Sequence, residues 1–351
     1  MFFAVYSTVT SLPFCVAVFG TLVVSAFIYV KSFMTLPSTI PKLYFKESAL
    51  ASHLLKRCRL MNRNFDPPWY LRNAHIQTIL SFILTHTSTE FEREYLQMRD
   101  RGVVALDWAL HVSVHKKKCC SVLIILPGLT ATAVNVSNLC SLAAHKGYRP
   151  VVFNQRGFGN SVLTTPKILS NGDPHDLRQV VKYIHSRYPK ALVTMVGLGT
   201  GCSLLLSYLG EFGSLANICA AVCISACFDN SGKFSKGVQG IYDILYLLSL
   251  KITLCEHSNS LSKYIDFNEL LKCWSFRHFD ELILDDPFYS KISIPYDLCK
   301  YYPHFLIVCT SKGGHCGFID DPCDVSWADK PALDYLDTVL EFTNNGHTIN
   351  Y

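Results

Sequence analysis

Three short stretches hold residue types that could perform acyl transfer. Gly197-Leu198-Gly199-Thr200-Gly201 follows an apolar run and leads straight into a helical pattern. That is the layout of a nucleophile elbow, where glycines relieve crowding at a tight strand-to-helix turn. Pro127-Gly128-Leu129-Thr130-Ala131 also ends an apolar run, and a turn there could aim a backbone N–H at a developing oxyanion. Near the C-terminus, Gly313-Gly314-His315-Cys316-Gly317-Phe318 sets a histidine in a glycine-lined loop. Such a histidine can act as a general base. The glycines at 197, 199 and 201 do not have the spacing of a dinucleotide fingerprint, and no acidic residue follows about twenty positions on. A pyridine-nucleotide oxidoreductase is therefore excluded, and no cofactor is expected.

These stretches need strands to end on them. Apolar runs at 121–126, 150–153, 191–196, 218–228 and 305–310 read as strands, with helical patterns at 138–146, 176–188 and 202–209 between them. Strands alternating with helices of this length predict βαβ units and a mostly parallel sheet flanked by helices. In such sheets function gathers at the carboxyl ends of the strands. Residues 230–281 break the alternation: 241–254 is strongly apolar and 267–279 looks like a second helix. The segment predicts a helical insertion over the sheet, either a packing element or a lid over an acyl pocket.

At this point the chain resembles the type-four family of α/β-hydrolase-domain proteins, which includes the bacterial YheT-like esterases. The resemblance rests on Pro67-Pro68-Trp69-Tyr70-Leu71, His75-Ile76-Gln77-Thr78, Ala105-Leu106-Asp107-Trp108, Asn154-Gln155-Arg156-Gly157, Asp176-Leu177, Ser275-Phe276-Arg277 and the Gly-Gly-His loop. It covers roughly residues 66–335 and implies an α/β-hydrolase fold over 66–348 that hydrolyses carboxylic or lipid esters. By the same resemblance Asp286 is the triad acid, His315 the base, and the backbones of Leu129 and Thr200 the oxyanion donors. Cys316-Gly317-Phe318 and Ser207-Tyr208-Leu209-Gly210-Glu211 are most similar to one branch of the family. That branch implies control of lipolysis and a cyclic-nucleotide phosphodiesterase partner.

Two departures change the expectation. The family's nucleophile position is Gly199, and glycine has no side chain with which to form an acyl-enzyme. Thr200 and Ser203 lie nearby, but an elbow aims only its central residue at the site. Second, residues 279–284 run directly into Asp285-Asp286-Pro287, where the family places a helix and a further strand. The chain is expected to be a nucleophile-lacking member with a regulatory or scaffold role in lipid metabolism. The alternative is an active carboxylic-ester or lipid hydrolase.

The remaining signals concern the N-terminal region and the cysteines. Residues 1–30 hold no Asp, Glu, Lys or Arg, and 14–30 form the best helical core. The run predicts a membrane anchor, with a cleaved secretory signal as the alternative. The net charge of +5 is concentrated in 31–63, where Lys31, Lys42, Lys46, Lys56, Arg57, Arg59 and Arg63 outweigh Glu47. A basic connector on this flank holds it on the cytosolic side and suits membrane lipid as a partner. With the rest of the chain near neutral, a nucleic-acid groove is excluded. The 15 cysteines cannot all pair. Cys219, Cys223 and Cys227 lie in one apolar run with no interleaved histidine, so a shared strand face is expected rather than a metal site.

Overall fold

A computed structural model describes residues 20–21, 23–25, 27–28, 40–83, 89–110, 121–128, 130–168, 173–226, 240–274, 279, 297–321 and 326–344. β1 (Lys42–Tyr44), α1 (Ala49–Arg57) and α2 (Ala74–Ile83) precede a hairpin of β2 (Glu90–Gln97) and β3 (Val103–Leu110). The alternating part is β4 (Val122–Leu126), α3 (Ser137–His145), β5 (Arg149–Asn154), α4 (His175–Arg187), β6 (Val193–Leu198), α5 (Thr200–Phe212) and β7 (Ala220–Ile224). Next come α6 (Gly240–Glu256), α7 (Ser258–Leu261), α8 (Phe267–Lys272), α9 (Leu298–Tyr301), β8 (Ile307–Cys309) and α10 (Asp329–Asn344).

Six strands form one sheet in the order β2-β3-β5-β4-β6-β7. β5, β4, β6 and β7 are parallel, while β3 runs antiparallel to both β2 and β5. β4 (VLIIL) is buried at every position, as a strand covered on both faces must be. Its alternate residues feed two apolar layers. Leu123 and Ile125 pack with α1, α3 and α10 through Leu54, Leu139 and Leu336. Ile124 and Leu126 pack with α4 and α5 through Val180, Ile184 and Leu205.

The insertion between β7 and β8 has an apolar cluster of its own. Leu247, Leu250 and Leu254 of α6 meet Leu261, Leu270 and Phe279, and rest on Phe158, Leu163 and Ile168 from the loop after β5. Lys251, although buried, has its ammonium bonded to the carbonyls of Leu271 and Cys273 at the end of α8. Its charge thus caps a helix C-terminus.

Three expectations are corrected. The run at 305–310 yields only the three-residue β8, which pairs antiparallel with β1 instead of joining the main sheet. Among its described residues, the run at 218–228 is strand only from Ala220 to Ile224, because Ser225 turns the chain with φ of +57°. Cys219 and Cys223 do not share a face. Cys219 precedes the strand and packs in the α10 layer, whereas Cys223 faces α5. Cys227 lies outside the described residues, as do most of residues 1–30. Among the described residues no helix is long and apolar enough to cross a membrane.

Candidate active site

β6 delivers the chain to Gly199, whose φ of +53° and ψ of −116° turn it sharply into α5. Gly199 N–H donates to the Ile224 carbonyl at 3.1 Å, and Cys202 N–H donates to the Gly199 carbonyl at 3.1 Å. The flanking glycines permit the turn. A Cβ on Gly201 would stand 2.1 Å from the Leu126 carbonyl oxygen, and one on Gly197 would stand 3.0 Å from the Cys202 backbone. Only a residue without a side chain lets α5 approach β4 this closely. The elbow is therefore built, with its central side chain missing.

His315 is brought to that point. A Cβ on Gly199 would lie 3.1 Å from His315 Nε2, tight enough that the ring would give by a few tenths of an ångström to admit a serine. The imidazole leans into the space a nucleophile side chain would fill. The Pro127-Gly128 turn also adjoins the elbow, since a Cβ on Gly128 would lie 3.7 Å from Thr200 Oγ1. Thr200 opens α5, so its N–H belongs to a helix N-terminus that favours negative charge. Leu129 and Asp286 lie outside the described residues. Gly199, Thr200 and His315 thus share one site. Among the described residues no cluster of His, Cys, Asp or Glu could hold a metal ion.

The histidine loop is held from α2. Gln77, fully buried, donates through Nε2 to the Leu71 and Ile319 carbonyls at 2.7 and 2.8 Å, and accepts from Ile319 N–H at 2.7 Å. Thr78 Oγ1 accepts from His315 N–H at 2.9 Å. Gly314 and Gly317 let the loop lie on α2: a Cβ on either would come within 2.4 Å of the Ala74 or Gln77 carbonyl oxygen. From the other side Cys316 N–H donates to Ser225 Oγ at 2.9 Å. Gln77 and Thr78 are the positioning residues that sequence reasoning passed over. The signal was the His75-Ile76-Gln77-Thr78 block, read only as a mark of resemblance.

Other blocks of the resemblance form scaffold. Buried Arg156 forks to Asp176 (2.6 and 2.7 Å) and to Asp100 (2.6 and 2.9 Å). Hydrogen bonding to that guanidinium pulls the Asp100 carboxyl below its ordinary value. Asp107 is held by Arg93 at 2.6 and 2.7 Å and by Asn154 Nδ2 at 2.8 Å. These charges fix β2, β3 and the loop after β5, away from the elbow.

Between β7 and β8 lies a cavity of about 920 Å³ lined by, among others, Ala221, Cys223, Leu306, Val308, Tyr335 and Val339. It separates the end of the main sheet from the strand that leads into the histidine loop.

The alpha/beta hydrolase fold family matches residues 121–273. Over 344 residues the chain is 31% identical to Protein ABHD15 of Homo sapiens, covering 85% of this chain and 74% of that one. It is 26% identical over 383 residues to Phospholipase ABHD3 of Homo sapiens (95% and 91% covered). Identity to Monoacylglycerol lipase ABHD2 of Mus musculus is 24% over 378 residues (88% of each). The 344 positions aligned with ABHD15 outnumber the residues that 85% of a 351-residue chain supplies. Several dozen positions of that relative therefore have no counterpart here.

Proposed function

The chain belongs to the α/β-hydrolase-domain family, and on that premise we propose that it is a nucleophile-lacking member that binds lipid acyl groups without serine turnover. One observation carries the reading: the base is poised over an elbow whose central residue, Gly199, offers no hydroxyl. An acyl-enzyme needs an oxygen or sulfur at the point of attack, and an oxyanion site alone gives only slow catalysis. The relatives named as a phospholipase and a monoacylglycerol lipase favour lipid esters as the bound class. The apolar insertion over the loop after β5 gives an acyl chain something to lie against.

On this reading the protein regulates lipid metabolism by occupancy, as a scaffold. The uncharged residues 1–30 would tether it, with the basic connector on the cytosolic face against anionic lipid. A cyclic-nucleotide phosphodiesterase partner follows from the branch resemblance. The test pairs two measurements on the full chain. A non-hydrolysable acylglycerol ether should bind saturably, while a fluorophosphonate, which reports an activated serine, should label the full chain no more than it labels the protein with His315→Ala. Labelling of a serine that requires His315 would establish the active serine-hydrolase alternative instead.

A further inference from the structure

The vacancy at Gly199 is bordered by atoms of two consecutive residues. A Cβ there would stand 3.1 Å from His315 Nε2 and 3.4 Å from Cys316 Sγ. A proton acceptor and a sulfur nucleophile thus converge on the position from which the missing hydroxyl would have extended. The backbone holds the thiol in this orientation. Cys316 takes a left-handed φ of +55°, uncommon for a residue with a side chain. It is kept there by its bond to Ser225 Oγ at 2.9 Å and by the Gly314 N–H bond to the Gly317 carbonyl at 2.7 Å.

Two features of the kind that activate a thiol border Cys316. α5 is 13 residues long and begins at Thr200, so its positive end opens on the vacancy. A helix N-terminus and a neighbouring histidine are among the environments that make a cysteine nucleophilic. The neighbouring thiol is different. Cys202 is fully buried beneath the elbow and donates to the Ile224 carbonyl at 3.2 Å. Its hydrogen bond with Cys223, its burial and the proximity of Cys223 and Cys316 hold it well above the ordinary thiol range. Cys316 is half-buried, with a path to a substrate that Cys202 lacks.

We propose that Cys316, with His315 as its base, is an acyl acceptor that takes an acyl group from an activated ester or thioester in place of the absent serine. The thiol proton moves to His315 Nε2 as sulfur attacks the carbonyl carbon, and the carbonyl electron pair moves onto oxygen near the start of α5. When the tetrahedral adduct collapses, the bond from carbon to the leaving group breaks. The departing alkoxide or thiolate takes the proton from His315, and a thioester on Cys316 remains. Water activated by His315 releases the acid in a second, slower step and restores the thiol. The proposal rests on acyl groups entering this site, as in the function proposed above.

The experiment treats the full chain with an alkyne-tailed p-nitrophenyl acylate, counts p-nitrophenol released in the burst, and maps the adduct by peptide mass spectrometry. One adduct on Cys316, removed by neutral hydroxylamine, is expected. Its rate should fall about a hundredfold or more in His315→Gln, the usual size of a lost general base. Cys316→Gly accepts the left-handed backbone without strain, so loss of the adduct in that variant is not a folding failure. Labelling spread over exposed cysteines and indifferent to His315→Gln would overturn the proposal. So would no adduct at all while the acylglycerol ether still binds, an outcome that leaves the function above standing. No adduct and no binding would overturn both.

Discussion

On one side of the sheet β2 and β3 pair without a break from Glu90–Leu110 to Gln97–Val103, and β3 continues into β5. On the other side, among the described residues, β7 pairs with β6 alone, β8 pairs with β1, and a cavity of about 920 Å³ stands between them. The first side is locked by charge, with Arg156 and Asp107 each held by forked bonds. The site straddles the two. Its elbow hangs on β6, in the main sheet, whereas His315 follows β8, which lies outside that sheet. The histidine loop is held by α2, through Gln77 and Thr78, and by Ser225 after β7.

That comparison can be broken at its strong side first. Arg156→Ala leaves two carboxylates facing each other without their cation, and should cost about 3 kcal/mol of unfolding free energy. Val308→Ala in β8, already half-open to the cavity, should cost less than about 1 kcal/mol. Urea unfolding of both variants measures the contrast, and equal losses would mean that the two sides are equally tight. Gln77→Ala should fall between them, at about 2 kcal/mol, because it strands the Ile319 amide and two carbonyls. Hydrogen exchange should show its effect concentrated in residues 313–319.

The pH-dependent effect belongs to Asp329, buried at the start of α10 beside the cavity. Burial pushes its carboxyl from 3.8 up to about 7, against a weaker pull from Lys330. The folded chain then binds more protons than the unfolded one between those values, so this group's contribution to stability falls as pH rises through that window. Asp329→Asn should flatten the dependence, with its largest gain in melting temperature at pH 8 and almost none at pH 4. A uniform shift at all pH values would remove the titration from the account.

The sequence was legible where a residue's role is local. β4, β5 and β6 come from continuous apolar runs whose ends are marked by glycine or asparagine, and the elbow follows from three glycines in five residues. It was less legible where pairing is distant. β8 lies in the run read as a strand at 305–310, but its pairing with β1 had no local signal, and β1, with three residues, has no pattern long enough to read. The β2–β3 hairpin and α10 were not foreseen, although burial alternates within each half of β2 and α10 is amphipathic. Gln77 was hidden for another reason. A polar residue fully buried in a helix is recognised by what it bonds to, and its partner Ile319 lies 242 positions away.

The central claim is that the site lacks its nucleophile but keeps the elbow and the base. Labelling by a fluorophosphonate tests it directly, because the probe reports a serine activated by a base within reach. The native chain should stay unlabelled. Gly199→Ser should gain labelling after His315 yields the few tenths of an ångström that the new Cβ needs, and Gly199→Ser combined with His315→Ala should lose it again. Strong labelling of the native chain that disappears with His315→Ala would contradict the account, since a serine nucleophile would then exist elsewhere in the site.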